Sequence, residues 1–143
     1  MNELRDVLAH KGDRIWSVAP DATVFETLQL MAERDIGAVL VMSGGRTVGL
    51  FTERDYARQV ILKGKASKDT PVREVMTSRV IYVTVDESLE NCMALMTDKR
   101  VRHLPVLDGD RLVGVVSIGD VVKAVISEKQ FLIEQLEKYI TTG

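Results

Sequence analysis

In this 143-residue chain, the motif whose residues could bind a ligand or cap a helix occurs in two copies. Two seven-residue segments each place a hydroxyl three residues before an aspartate. They are GLFTERD (49–55), with Thr52 and Asp55, and GVVSIGD (114–120), with Ser117 and Asp120. The spacing is typical of a capping box, in which the hydroxyl caps a helix and the carboxylate answers the helix dipole. A carboxylate at a helix N-terminus can also accept two hydrogen bonds from a ligand, so both roles stay open.

The doubled motif belongs to an internal repeat with one constant offset, the spacing that separates Gly49 from Gly114. The same offset relates Val18 to Val83, Met31 to Met96, Gly44 to Gly109 and Val48 to Val113. Upstream, LRDVL (4–8) matches VREVM (72–76) at a slightly longer offset, so the first repeat carries a three-residue loop insertion around His10 to Asp13. Self-similarity at a fixed period indicates one structural unit used twice.

The repeat predicts how the chain is divided. The polar stretch KGKASKDTP (63–71) separates the two copies. The predicted segments are a first repeat (1–66), a linker (67–71), a second repeat (72–127) and a C-terminal helical tail (128–143).

Each repeat has the pattern of strand, helix, strand, strand and helix. The first strands, RIWSV (14–18) and RVIYVTV (79–85), are rich in β-branched and aromatic residues. SGGR (43–46) and DGDR (108–111) predict hairpin turns between the second and third strands. Each repeat would leave an apolar sheet face uncovered. We therefore predict an α+β fold of two β-α-β-β-α repeats, packed sheet to sheet with pseudo-two-fold symmetry and with clefts between them.

Composition excludes several classes of function. The net charge is −2 and no long block of like charges occurs, which argues against a nucleic-acid or membrane binder. The apolar runs are too short to span a bilayer and the first residues lack an apolar leader core, so we expect a cytoplasmic protein. One cysteine, Cys92, allows no internal disulfide and no metal site of its own, and we expect a packed side chain.

The ordered series of segments resembles tandem cystathionine β-synthase (CBS) domains, the pair often called a Bateman module. The matching segments are RIWSVAPDATVFETL and RDIGAVLVMSGGRTVGLFTERDYAR in the first repeat, and VREVMTSRVIYVTVDESL and KRVRHLPVLDGDRLVGVVSIGDVV in the second. They cover most of residues 4–126. The resemblance implies a fold of β-α-β-β-α repeats, no intrinsic catalysis, no required cofactor and no catalytic metal. It also implies clefts that bind AMP, ATP or NAD(H) to report energy or redox state.

The resemblance assigns roles to the doubled motif. Asp55 and Asp120 fall on the ribose-binding aspartate, and Thr52 and Ser117 fall on the nearby polar position. Set beside the capping role, the repeat and the resemblance together favour ribose binding.

Basic residues near the motif differ between the repeats. The resemblance places Arg102 and His103, just before the strand LPVL, where the family often has phosphate-binding residues. The first repeat has Gly37 and Ala38 there, but it has Arg54 where the second repeat has Gly119. Arg54 either supplies phosphate charge from another side or lies at an exposed helix start. The two clefts are therefore chemically unequal.

The C-terminal stretch (120–143) carries apolar residues at three- and four-residue steps. They are Val122, Val125, Leu132, Leu136, Tyr139 and Ile140, with Lys129 as the only break. This spacing predicts one extended amphipathic helix. Its apolar stripe packs either within the chain or, as we expect, against a second copy in a homodimer.

These observations predict a regulatory, non-enzymatic sensor of adenine nucleotides that signals to an unknown effector protein. The alternative is a ligand-free interaction or dimerisation module of the same fold. An adenylate-processing enzyme is a third hypothesis, but no nucleophile, base or metal set accompanies the motifs.

Overall fold

The computed structural model describes residues 3–12 and 14–142, with side chains as far as residue 140. Asp13, at the end of the predicted insertion, and the chain ends Met1, Asn2 and Gly143 lie outside the described residues. The described part contains two three-stranded sheets and five α-helices, and the predicted α+β class is confirmed.

The strands are β1 (Ser17–Val18), β2 (Ala38–Ser43), β3 (Arg46–Thr52), β4 (Val83–Thr84), β5 (His103–Asp108) and β6 (Arg111–Ser117). The helices are α1 (Leu4–Lys11), α2 (Val24–Arg34), α3 (Glu53–Asp55), α4 (Leu89–Lys99) and α5 (Ile118–Thr142). A π-helical segment, Tyr56–Ile61, continues α3, and Val72–Glu74 forms a 3-10 turn.

The chain divides into two compact units, each built around one sheet. Unit 1 is residues 15–80 and contains β1 to β3, whereas unit 2 combines residues 1–14 with residues 81–143 and contains β4 to β6. The units are not the same division as the sequence repeats. The segment that opens the first repeat, α1, lies in unit 2, and the matching segment 72–76 lies in unit 1. The predicted domain limits follow the sequence repeats and stay predictions.

The two sheets have the same topology. In each, a short first strand pairs in parallel with the central strand, which pairs antiparallel with the third. The antiparallel register shifts after Val41 in unit 1 and after Val106 in unit 2, two positions that the repeat offset also relates. The predicted hairpin turns are confirmed. The predicted first strands are mostly not strand: β1 and β4 are two residues long, because each pairs on one side only and then leaves the sheet.

The helices α2 and α4 cover their sheets as the sequence predicts. Thr23 Oγ1 accepts a hydrogen bond from Glu26 N–H at the start of α2 (3.1 Å), and Ser88 Oγ accepts one from Asn91 N–H at the start of α4 (3.1 Å). Such caps satisfy backbone donors that the first helical turn leaves unpaired.

The buried faces of the helices and sheets form two separate apolar cores. That of unit 1 is Val24, Met31, Val39, Val41, Phe51, Val60, Val72 and Val75, and that of unit 2 is Leu4, Val7, Val83, Val85, Leu89, Cys92, Met96, Leu104, Val106, Val116 and Val121.

Cys92 is part of the core of unit 2, as its predicted packing role requires. Burial raises the pKa of the Cys92 thiol to about 11, with a smaller contribution from Glu87. The thiol is therefore protonated at neutral pH and is not a nucleophile.

Each sheet receives a segment from the start of a sequence repeat through a close contact with a glycine. In unit 2, a Cβ added at Gly114 would lie 2.7 Å from Leu8 Cδ2, and in unit 1 one added at Gly49 would come closer still to Met76 Sδ. Both separations are shorter than real Cβ contacts, so any other residue at these positions would force the Leu8 or Met76 side chain to move. In unit 2 the contact holds α1 against β6, and the buried Leu4 anchors the other end of the helix.

The helix α5 runs for 25 residues and includes the whole described tail. The predicted extended amphipathic helix is confirmed. Val121 is fully buried, but from Ile126 onward the helix exposes large apolar side chains. They are Ile126, Phe131, Leu132, Ile133, Leu136, Tyr139 and Ile140. In the part of the chain that the structure describes, no helix combines the length and apolarity needed to cross a membrane.

Candidate functional site

Both doubled motifs lie where the third strand of a sheet passes into a helix. Thr52 ends β3 and faces Ala38 across the sheet, while Ser117 ends β6 and faces His103. A backbone hydrogen bond closes each junction: Glu53 N–H donates to Gly37 O (3.1 Å), and Ile118 N–H donates to Arg102 O (2.8 Å). The two junctions therefore share one backbone framework on which their side chains differ.

A reciprocal capping box occupies each junction. Asp55 N–H donates to Thr52 Oγ1 (3.1 Å), and Thr52 N–H donates to Asp55 Oδ2 (3.0 Å). In unit 2, Asp120 N–H donates to Ser117 Oγ (3.1 Å), and Ser117 N–H donates to Asp120 Oδ2 (2.8 Å). The capping role is present in both units. The ribose-binding role of these four residues stays a prediction.

In unit 1 a second hydroxyl completes the environment of the carboxylate. Thr77 Oγ1 lies 3.1 Å from Asp55 Oδ1 and 3.2 Å from Oδ2. The Thr77 backbone also pairs with Leu50 on the free edge of β3, and its N–H donates to Leu50 O (2.8 Å). Neutral donors therefore surround Asp55 on this side.

In unit 2 a cation takes that place. Lys11 Nζ lies 2.6 Å from Asp120 Oδ2 and donates a second hydrogen bond to Val115 O (2.8 Å). Lys11 is the last residue of α1, so its position follows from the packing of α1 on β6. About a quarter of the Asp120 side chain (27%) and 39% of the Lys11 side chain stay exposed. The pair is therefore partly buried and accessible from solvent.

The different partners move the two carboxyl pKa values in opposite directions. Burial raises the pKa of Asp55, and the hydrogen bonds from Thr52 and Thr77 offset only part of this effect. Burial would also raise the pKa of Asp120, but the hydrogen bond from Lys11, the Ser117 N–H and the Lys11 charge together hold it below its ordinary value. The ammonium thus distinguishes two carboxylates that are otherwise held in the same way.

The structure brings Arg102 and His103 to the junction that carries Asp120. His103 begins β5 and is half-buried. Burial lowers the pKa of His103, and the nearby charges of Lys11 and Arg102 lower it further, against the opposite effect of Asp120. The imidazole is therefore neutral at pH 7, which leaves Arg102 as the charged member of the predicted phosphate pair.

Arg54 lies in α3 between the two motif residues of unit 1. Its positive charge lowers the pKa of Asp55, although less than the hydrogen bonds do. Arg54 is therefore electrostatically coupled to the carboxylate, and its predicted phosphate contact stays a prediction. The matching residue in unit 2, Gly119, has no side chain to offer.

A cavity of about 340 Å³ adjoins the Lys11–Asp120 pair within unit 2. It lies between α1 and α5 and is lined by Asp6, Val7, His10, Lys11, Asp120, Lys123, Ala124 and Ser127. A second cavity, of about 410 Å³, lies in unit 1 and includes Gly37 and Glu53 at the junction. Among the described residues, no cluster of three or more His, Cys, Asp or Glu side chains could hold a metal ion.

The sequence did not predict a role for Lys11, which forms a 2.6 Å ion pair with the motif aspartate of unit 2, Asp120. Lys11 lies within the insertion predicted around His10 to Asp13, so the repeat offset gave it no partner in the second repeat. The prediction of a loop there is wrong for His10 and Lys11, which form the last turn of α1. This helix packs in unit 2, with the sheet of the second repeat.

Comparison with known proteins matches the chain to one family. The model of the CBS domain matches residues 4–61 and 72–127. The structure of a candidate signal-transduction protein with CBS domains from Burkholderia ambifaria is 48% identical, with 87% of this chain and 94% of that chain covered and a TM-score of 0.85. The mitochondrial CBS domain-containing protein CBSX3 of Arabidopsis thaliana is 37% identical over 98% of this chain and 72% of its own length. A hexameric CBS-CP12 protein from bloom-forming cyanobacteria shares the fold at 24% identity and a TM-score of 0.76, with 85% of this chain and 71% of that chain covered.

The contact between Lys11 and Asp120 predicts how one substitution changes a titration. Lys11→Met removes the hydrogen bond and the charge that lower the pKa of Asp120, so this pKa is expected to rise. The pKa of Asp120 in the folded protein lies below the ordinary value of 3.8. Ionised Asp120 therefore stabilises the fold fully at pH values above 3.8, and this stabilisation is lost as the pH falls through the folded-state pKa. In Lys11→Met this stabilisation becomes smaller, because only the hydrogen bonds with Ser117 still lower the pKa of Asp120. The carboxyl chemical shift of Asp120, followed by NMR during an acid titration, measures the change.

Asp55 serves as the internal control, because in unit 1 Thr77 takes the place of Lys11, and the titration of Asp55 should be unchanged. An Asp120 pKa that is the same in both proteins would contradict the assigned role of the ammonium.

Proposed function

The chain belongs to the CBS-domain family, and from that premise we propose that it is a regulatory protein that binds an adenine nucleotide, AMP, ATP or NAD(H). The proposed binding sites are the strand–helix junctions, and the site at Asp120 is the stronger of the two. One observation carries the proposal. The same hydroxyl–carboxylate pair is held in the same geometry twice, and in unit 2 it lies beside a cavity and a cluster of basic residues.

The capping role leaves Asp120 free to bind a ligand as well. The hydrogen bonds from Ser117 N–H and from Lys11 Nζ both go to Oδ2, and none within the described residues goes to Oδ1. One carboxylate oxygen thus holds the helix start while the other can accept a hydroxyl of a ribose. Thr77 already contacts both oxygens of Asp55, so the unit 1 site has less acceptor capacity left.

The basic residues favour the unit 2 site for the phosphate end of a nucleotide. Arg102 offers a planar guanidinium, whose N–H groups match phosphate oxygens in pairs. His103 adds a neutral hydrogen-bonding ring from the adjacent strand position. The corresponding residues of unit 1 are Gly37 and Ala38, so the proposed phosphate contact there depends on Arg54 alone. We therefore propose unequal occupancy of the two sites.

We propose that the protein regulates a partner and does not itself catalyse a reaction. Capping boxes hold both motif carboxylates, and burial keeps the only thiol, Cys92, protonated. The effector protein is not identified by any feature of the chain. We keep the cytoplasm as the proposed compartment, although CBSX3 of Arabidopsis thaliana carries the name of a mitochondrial protein.

The proposal predicts that Asp120→Ala removes the response to nucleotide more than it removes stability. A ligand at about 100 times its Kd stabilises a fold by roughly 2.7 kcal/mol, which raises the Tm of a domain of this size by several degrees. We expect ligand-stripped wild-type protein to show this shift with AMP or ATP, and Asp120→Ala to lose most of it. Thermal unfolding followed by circular dichroism with and without nucleotide measures both quantities.

Ser88→Ala is the matched control, because Ser88 caps α4 in the same unit but lies outside the proposed site. Losing such a cap costs about 0.5–2 kcal/mol, so Ser88→Ala should lower the Tm and keep the full nucleotide shift. If Asp120→Ala also keeps the full shift, the doubled motif serves only as a pair of caps.

The exposed stripe of α5 supports a second proposed function, as a dimerisation or interaction module. Ile126, Ile133, Leu136 and Ile140 follow one another at seven-, three- and four-residue steps, and all are more than half exposed. Seams of this spacing associate with a partner helix. We propose that a second copy of the chain covers the stripe, which would make the regulatory protein a homodimer.

The dimer proposal predicts different effects of two substitutions on the same helix. Ile133→Glu places a charge in the stripe and should shift the protein towards monomer. Phe131 precedes Ile133 by two residues, which is about 200° around the helix, so it lies on the face opposite the stripe. Phe131→Glu should therefore leave the dimer intact. Light scattering at several protein concentrations measures the mass. Equal masses for both variants and the wild type would place the interface elsewhere.

A further inference from the structure

We propose that Lys11 makes the unit 2 site selective for phosphorylated ligands, by presenting its ammonium to the phosphate of a nucleotide whose ribose is held by Asp120. This inference rests on the proposed nucleotide-binding function and adds to it a residue, a contact and a preference between ligands.

The comparison of the two junctions shows what is special about Lys11. In unit 1, Thr77 supplies two neutral donors: its N–H pairs with Leu50 O, and its hydroxyl contacts Asp55. The equivalents of Leu50 and Asp55 in the second repeat are Val115 and Asp120. In unit 2 a single ammonium, that of Lys11, hydrogen-bonds to both of these residues. The same two hydrogen-bonding tasks are performed, but with a full positive charge added to the site.

The position of this charge is set by the packing of α1. Leu4 and Val7 are buried in the core of unit 2, and Leu8 fills the space above Gly114. The backbone adds two further anchors, from Leu4 N–H to Glu87 O (3.0 Å) and from Arg5 N–H to Val85 O (2.9 Å). Lys11 thus extends from a docked helix, and its ammonium is held in place before any ligand arrives. Preorganisation of this kind reduces the entropy lost on binding.

The ammonium retains the capacity to contact a ligand. It carries three N–H donors, of which Val115 O and Asp120 Oδ2 use two. Within the described residues the third has no protein acceptor, and a phosphate oxygen would form the stronger, charge-assisted type of hydrogen bond with it. The adjoining cavity of about 340 Å³ is within the usual size of a small-molecule site.

The charges around the cavity favour an additional anion. Two ammonium groups, of Lys11 and Lys123, and two carboxylates, of Asp6 and Asp120, line it. Arg102 adds a positive charge close enough to lower the pKa of His103. The charges that line the cavity therefore cancel, and Arg102, which lies outside the lining, makes the charge near Asp120 positive. In unit 1 a threonine stands in place of Lys11. The lowered pKa of Asp120 and the raised pKa of Asp55 agree with this difference.

Lys11 does not have to leave Asp120 for a ligand to bind. It contacts Oδ2, the same oxygen that the capping N–H uses, and Oδ1 stays available for a ribose hydroxyl. The Lys11 ammonium can therefore contact the ligand next to the ribose without displacing it. A competing role, in which Lys11 blocks the carboxylate, predicts the opposite effect of its removal.

Calorimetry with AMP and adenosine tests the inference, because the two ligands differ only by the phosphate. All variants carry Asp55→Asn, which weakens the unit 1 site but keeps a carbonyl acceptor for the Thr52 N–H. We expect Lys11→Met to weaken AMP roughly tenfold, the order expected for one charge-assisted hydrogen bond, and to change adenosine less than about twofold. Lys11→Gln, which keeps a donor without the charge, should show the same loss, and Lys11→Arg should retain most of the AMP affinity.

Lys99→Met is the matched control, since it removes one exposed positive charge from the end of α4 in the same unit. It should leave both affinities unchanged. Equal weakening of AMP and adenosine by Lys11→Met and Lys11→Gln would overturn the inference, and tighter binding of both would show that Lys11 competes with the ligand. In either case the nucleotide-binding proposal survives. If the parent protein binds neither ligand, both proposals are wrong.

Discussion

A pair of hydrogen bonds exchanged between a hydroxyl and a carboxylate determines both the local fold and the chemistry of each unit. In unit 2, Ser117 and Asp120 each give a backbone N–H and each accept one on the side chain. The exchange turns a sheet edge into a helix start and, at the same time, fixes a carboxylate at the positive end of that helix. The capping box that starts this helix therefore also places an ionised, partly exposed carboxylate, that of Asp120, at its N-terminus. The proposed ribose contact uses the same carboxylate that the cap requires.

The two units share this device but differ in what surrounds it. The difference comes from the segment that packs on the free edge of the third strand: residues near Thr77 in unit 1, and α1 in unit 2. Glycine at positions 49 and 114 admits both segments, yet one brings a hydroxyl and the other an ammonium. One sequence difference outside the motif thus changes the charge of the site. We propose that this change lets the two copies prefer different ligands.

Much of the fold was predictable, because it follows from local signals. The hairpin turns, the caps of α2 and α4 and the long α5 each depend on residues within a few positions of one another. The doubled motif was also predictable, since the repeat offset is constant there. The placement of Arg102 and His103 beside it was predicted from the family resemblance, because the first repeat has Gly37 and Ala38 at these positions. The Lys11–Asp120 contact was not, because it joins residues 109 positions apart and crosses from one repeat to the sheet of the other. The short first strands were missed for a similar reason: their length depends on pairing across the sheet and not on their own β-propensity.

We propose that the strand–helix junction at Asp120 binds an adenine nucleotide. An NMR titration of ligand-stripped, isotope-labelled protein with AMP tests this binding site residue by residue. We expect the largest changes in amide chemical shift at Ser117, Asp120 and His103. These changes should saturate with added AMP and be smaller at Thr52 and Asp55. A titration that leaves these amides unchanged, or that moves only residues of the exposed half of α5, would contradict it.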